Sequence, residues 1–164
     1  MGETGEIPYR AKRMIVSEAP RGGITLAGVL ASLSSLVPLL LLNMGARTGL
    51  VEDVFAALYL SSLPVVASGV YQLYRLALSI SEACGLAKPS GLVFAVGAAP
   101  LGYVVPIYYT LYLLSRCDGL KGRVNATPLD IMLNLITFGL HSALYASLFN
   151  KVLDNALKML GRPY

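Results

Sequence analysis

The feature that most constrains this chain is a set of four apolar stretches, each about long enough to cross a lipid bilayer. They are predicted as spans at about residues 24–43, 54–74, 92–114 and 128–150. Only 13% of the 164 residues are charged and 55% are hydrophobic, whereas a soluble domain needs about 25% charge to cover its surface. The sequence therefore predicts an all-α fold, an integral membrane bundle of four transmembrane helices with short amphipathic extensions.

The chain divides into a polar tail and one membrane domain. Residues 1–21 are polar and punctuated by Gly and Pro, and residues 22–160 hold all four spans. The first apolar run exceeds the apolar core of a signal peptide, so we expect it to remain as a span. A chain of this length leaves no room for a separate soluble catalytic domain beside four spans.

Orientation follows from the distribution of Lys and Arg. With four crossings, nine of these residues fall on the side of the termini and four on the other side, which predicts that both termini are cytoplasmic. Cys84 and Cys117 then lie on opposite sides and are not expected to pair. The sequence contains no CxxC pattern, so it does not indicate a zinc site.

The third stretch is interrupted by Pro100 and Pro106. A broken helix or a re-entrant pair is possible here, and broken helices can form substrate sites at the bilayer midplane. We favour a kinked crossing helix, because no ionisable side chain lies near the break. If residues 91–114 re-enter instead, the loop that follows moves to the cytoplasmic side.

The fourth stretch carries a polar seam, which we define as Asn134, Thr137, His141 and Tyr145 on one side of a continuous helix. His141 is the only histidine, and ionisable groups within spans often mark proton or ligand paths. Because no charged residue lies between Met132 and Phe149, a neutral imidazole bonded to a neighbouring helix is the favoured interpretation.

Small residues repeat every fourth position on two of the predicted helices, where they would let helix backbones approach closely in lipid. The two predicted packing faces are Ala27, Ala31 and Ser35 in the first span, and Gly139, Ala143 and Ser147 in the fourth.

The segments GVYQLY and FGLHSALY echo one another at a separation of 70 residues, with Gly69 matching Gly139 and Tyr71 matching His141. ITFGLHSALY resembles the T-x-G-I-Y-x-x-Y-W hallmark of a widespread family of small multi-pass membrane proteins of unknown function, with His141 and Tyr145 in place of the usual tyrosine and tryptophan. GVYQLYRLALSISEACG resembles the other common form of that hallmark. This resemblance implies a multi-pass membrane fold and no catalytic residues.

Two motifs in the third loop do not change the predicted fold or function. Asp118 to Arg123 looks like part of the CDP-alcohol phosphatidyltransferase pattern, but the further carboxylates needed to hold a divalent metal are missing. Asn125 begins a glycosylation sequon in the loop placed outside.

The predicted function is a non-enzymatic scaffold or partner subunit, with no catalytic, cofactor-binding or metal-binding residues. Its expected partners are the lipid bilayer and other membrane subunits or further copies of itself. Nucleic acid is not expected, because the cations lie in the gaps between apolar runs. The alternative is a minimal transporter or channel component, lined by the break at Pro100 and Pro106 and by the seam at His141. A lipid-modifying enzyme is a third hypothesis.

Overall fold

The computed structural model of the chain describes residues 22–99, 101–117, 127–137 and 139–161, with side chains to residue 155 except that of residue 142. The described helices are α1 Gly23–Asn43, α2 Thr48–Ala83, α3 Gly91–Ala95, α4 Val104–Arg116, α5 Leu129–Ile136 and α6 Leu140–Gly161. A 3₁₀ turn, Val96–Ala98, follows α3. No strand occurs in these ranges, so the all-α prediction is confirmed. The predicted tail and the Asn125 sequon lie outside the described residues.

α1 and α2 form an antiparallel pair joined by a tight turn. The amide of Gly45 donates to the carbonyl of Leu42 and that of Ala46 to Leu41, the two bonds of a Schellman motif. Gly45 has φ +80°, a left-handed conformation that glycine adopts without strain. We call this end of the molecule, residues 44–47, the turn end.

The two helices approach closely where Gly69 of α2 faces Ala27 of α1. A Cβ atom on Gly69 would lie 2.7 Å from the Cβ of Ala27 and 2.6 Å from the Tyr103 hydroxyl. Further along, Gly23 faces the side-chain amide of Gln72. The start of α1 therefore lies level with the second half of α2.

The third predicted span is not a continuous helix. Residues 91–117, which we call hairpin 1, comprise α3, the 3₁₀ turn, an irregular segment and α4. The rings of Phe94 and Tyr109 contact edge to face, and a Cβ on Gly97 would meet Pro106. α3 and α4 are therefore antiparallel, and the chain returns to the end from which it came.

A disulfide joins Cys84, just after α2, to Cys117, just after α4, with the Cα atoms 5.4 Å apart. The expectation that these cysteines do not pair is wrong, and the physical reason is the return of hairpin 1. We call this end of the molecule, which also holds Gly22, the disulfide end.

The fourth predicted span is also broken. Residues 127–161, which we call hairpin 2, comprise α5 and α6, with a turn between them in which Gly139 has φ +90°. Asp130 near the start of α5 lies against His141 and Tyr145 in the first two turns of α6, so the chain folds back on itself at this turn. α6 runs back along α1, where the Asn150 side-chain amide donates to the Thr25 hydroxyl at 2.7 Å.

Two of the described helices, Gly23–Asn43 and Thr48–Ala83, are long and apolar enough to cross a membrane. The continuous helices expected at 92–114 and 128–150 are replaced by the hairpins, because turns at Val96–Tyr103 and Thr137–Gly139 reverse the chain. The buried core lies between these elements toward the disulfide end, and none of residues 39–61 is buried.

Candidate functional site

The tips of the two hairpins meet, and their contact forms the candidate site. At the tip of hairpin 1, the Tyr59 hydroxyl donates to the Ala98 carbonyl at 3.0 Å, and the Asn134 side-chain amide donates to the Leu101 carbonyl at 2.9 Å. Side chains of α2 and α5 therefore satisfy backbone acceptors that the irregular segment leaves outside regular helix.

The irregular segment depends on Gly102. A Cβ at this position would overlap the carbonyl oxygen of Val96, so only glycine fits so tight a turn. The next residue, Tyr103, is fully buried, and its hydroxyl donates to the Ile24 carbonyl at 3.0 Å. Hairpin 1 is thus tied to the start of α1.

The tip of hairpin 2 is held by α1. The Ser32 hydroxyl lies 2.6 Å from the Gly139 carbonyl oxygen and 2.8 Å from that of Gly28, so its proton can serve either acceptor. The α-carbon of Gly139 faces Leu101 and Ser35. The two tips and the middle of α1 therefore form one contiguous contact.

The four residues of the polar seam lie on two helices. Asn134 is fully buried in α5, while the Thr137 hydroxyl, at the end of α5, donates to the Leu133 carbonyl and accepts the His141 amide. His141 and Tyr145 lie on α6 with their rings stacked at 5.4 Å. The structure brings the seam together around a turn and not along one helix face.

Asp130 is the ionisable partner of His141. Its Oδ1 lies 3.3 Å from the imidazole Nε2, and both side chains are about one-fifth exposed, at 21% and 17%. The other carboxylate oxygen accepts the Thr127 hydroxyl at 3.0 Å. The Tyr145 hydroxyl is buried, and it lies close enough to the Asp130 carboxylate to interact with its negative charge. The cluster can hold a proton or a charge pair.

The predicted packing faces have different environments. Ala27 and Ala31 are buried against α2 and the core, and Ser35 is partly buried beside Gly139. Ala143 is partly buried and Ser147 is exposed. Among the α6 side chains that the structure describes, the buried ones are instead Tyr145, Ala146, Phe149 and Leu153. The difference arises because Gly139 belongs to the turn, so the stripe has only two members on the helix.

Sequence reasoning missed Asp130, Tyr59 and Ser32 as functional partners. The available signal was the Thr137-Phe138-Gly139 tripeptide, in which a β-branched residue and a glycine can end a helix. Among the described residues, no three His, Cys, Asp or Glu side chains are grouped to hold a metal ion.

No protein-family model, curated protein or solved structure matches this chain. The resemblance to the family of small multi-pass proteins therefore stays a prediction that rests on the quoted residues.

Proposed function

We propose that this chain is an integral membrane protein that crosses the bilayer twice and inserts both hairpins from the disulfide end. Helix length supports this placement: α1 has 21 residues, about 31 Å, close to the thickness of the hydrocarbon core. In α2, Asp53 and Arg75 are 22 residues apart and enclose the apolar part of the helix, about 33 Å by the same rise.

In this placement the hairpin tips lie near mid-depth. Ser32, which contacts Gly139, is ten residues from Gly22, about 15 Å along α1. The tip of hairpin 1 lies between the levels of Tyr59 and Val70, both within the apolar part of α2. Irregular backbone at such depth is tolerated where protein surrounds it and satisfies its polar groups, as the bonds to Ala98, Leu101 and Gly139 do.

Charge supports an orientation with the disulfide end in the cytoplasm. Of the Lys and Arg residues whose side chains the structure describes, Arg47 lies at the turn end, whereas the others lie toward the disulfide end: Arg75, Lys88, Arg116 and Lys151. This bias is stronger than that of a four-span arrangement and agrees with the positive-inside rule.

Within the membrane we propose a non-enzymatic role as a scaffold or partner subunit. The observation that carries this proposal is that the carbonyl oxygens of Ala98, Leu101 and Gly139 accept bonds from side chains of the same chain. A substrate or ion would need to displace those side chains. The unburied stretch at residues 39–61 leaves apolar side chains such as Leu40, Phe55 and Leu60 available to lipid or to another subunit.

A transporter or channel component is the second candidate. It is favoured by the His141–Asp130 pair, because ionisable groups at membrane depth are costly and commonly functional. It is also favoured by the two broken helices that meet at mid-depth, an arrangement used by secondary transporters.

One experiment separates the two candidates. The full chain, purified in mild detergent, is analysed for co-purifying membrane proteins and is reconstituted in liposomes to measure proton and cation flux. A scaffold gives a stoichiometric partner or a defined self-assembly, and its flux equals that of empty liposomes. Flux that depends on pH and is lost in His141→Ala, while the variant remains folded, would establish the transport role instead.

A further inference from the structure

α5 is the helix with the fewest buried side chains among those of eight residues or more whose side chains are described. Of Leu129–Ile136, only Asn134 is buried. Leu129, Met132, Leu135 and Ile136 are each more than half exposed. Ile131 packs partly buried against the core, but hydrophobic burial contributes less to holding α5 in place than it does for the other helices, so polar contacts contribute a larger share.

Polar side-chain contacts hold both ends of this helix to the rest of the molecule. At its C-terminal end Asn134 donates to the Leu101 carbonyl of hairpin 1. At its N-terminal end Asp130 contacts the imidazole of His141 on α6. Between α5 and α6 the chain turns at Gly139, whose left-handed conformation marks a natural hinge position.

The titratable and charged groups around His141 come from α4, α5 and α6. α5 contributes Asp130, and α1 contains no ionisable residue. α4 contributes tyrosines, of which Tyr108 lies near Tyr145, and Arg116, whose guanidinium bonds to the Tyr112 hydroxyl at 2.8 Å. α6 itself contributes Tyr145 and the exposed Lys151 and Asp154. Within the described ranges, Asp130 therefore supplies the only carboxylate in contact with the imidazole.

We propose that His141 and Asp130 form a proton-operated latch that holds α5 against the tip of hairpin 1. When the imidazole is protonated, it forms a charge pair with the carboxylate and α5 stays closed. When the imidazole loses its proton, the charge pair becomes a weaker hydrogen bond from the neutral ring, and α5 moves more often about Gly139 away from the Leu101 carbonyl. The latch works in the same way in a scaffold as in a transporter.

Hydrogen exchange on the full chain in detergent tests this latch. Amide exchange of residues 129–137 is measured at about pH 5.5 and pH 8.5, the range in which histidines change charge, and is corrected for the intrinsic pH dependence of exchange. We expect corrected exchange to be about fivefold faster at the higher pH, the change that about 1 kcal/mol produces. Residues 143–153 of α6 serve as the internal reference and should not change.

Two variants give the test its controls. Asp130→Asn removes the carboxylate and should abolish the pH dependence. His141→Lys keeps a positive charge at both pH values and should leave α5 protected at both. Equal corrected exchange of the wild type at the two pH values would overturn the proposal, and so would a wild-type pH response in a folded His141→Lys variant. If Asp130→Asn does not fold, the comparison of wild type with His141→Lys decides alone.

Discussion

At the scale of single residues, the close packing of the helices depends on a glycine, which has no side chain. Gly69 permits three elements to meet, because its missing side chain leaves room for Ala27 of α1 and for the hydroxyl of Tyr103 from hairpin 1. That hydroxyl then reaches the Ile24 carbonyl. One glycine thus determines the spacing of α1 and α2 and the position of hairpin 1 between them.

Replacing Gly69 by Ala should destabilise the protein by about 1–3 kcal/mol, since overpacking forces neighbouring backbones apart. The measurement is thermal or denaturant unfolding in detergent. Gly49→Ala is the matched control, because Gly49 lies in the same helix and a Cβ there meets nothing within 4 Å. The control should be neutral or stabilising by up to about 1 kcal/mol. Equal losses in both variants would contradict the role given to Gly69.

At the scale of elements, α1 and α2 could be predicted and the hairpins could not. The first span was expected at residues 24–43 and is Gly23–Asn43. The second span was expected at residues 54–74 and lies within α2, Thr48–Ala83, which extends beyond it at both ends. Hydropathy measures whether a segment suits lipid, but it does not say whether the chain crosses or returns. The bonds that fix the return join residues 79 and 33 positions apart, which no local pattern encodes.

Only part of the candidate site could be predicted, because local patterns do not show where the chain returns. His141 stood out as the single histidine in an apolar stretch, and its polar neighbours were named with it. Its partner was excluded by the assumption of a continuous helix, which would separate Asp130 and His141 by about 16 Å. The turn at Gly139 reverses the chain and brings the two side chains to 3.3 Å.

Replacing Gly139 by Ala should therefore cost more than the same change at another left-handed glycine. A Cβ on Gly139 would press on Leu101 and Ser35 at 3.3–3.4 Å, whereas a Cβ on Gly45 meets nothing within 4 Å. Both substitutions introduce backbone strain of about 1–2 kcal/mol. Gly139→Ala should lose additional stability, measured by unfolding in detergent. A smaller loss than in Gly45→Ala would argue against tight contact between the hairpin tips.

At the scale of the whole molecule, the disulfide decides how the chain is laid out. Because Cys84 and Cys117 are bonded, everything between them begins and ends at one end of the molecule. A four-span arrangement separates these positions by a bilayer. The topology is therefore open to direct measurement.

Single cysteines introduced at Lys88, Arg116 and Arg47 should report this layout in intact membrane vesicles, and the disulfide is kept because bonded Cys84 and Cys117 do not react with thiol reagents. A membrane-impermeant thiol reagent should label positions 88 and 116 from the same side and position 47 from the opposite side. The charge bias predicts that the first two positions face the cytoplasm. Labelling of position 116 together with position 47 would restore the four-span arrangement.

The unequal distribution of hairpins along α1 and α2 has a mechanical consequence. Both hairpins pack beside one half of the helix pair, and no residue from 39 to 61 is buried. In the proposed bilayer the protein displaces more lipid from the leaflet at the disulfide end than from the other. A protein that is wider in one leaflet fills the space between lipids where that leaflet is stretched. We therefore expect it to concentrate on membrane regions that bulge toward the disulfide end.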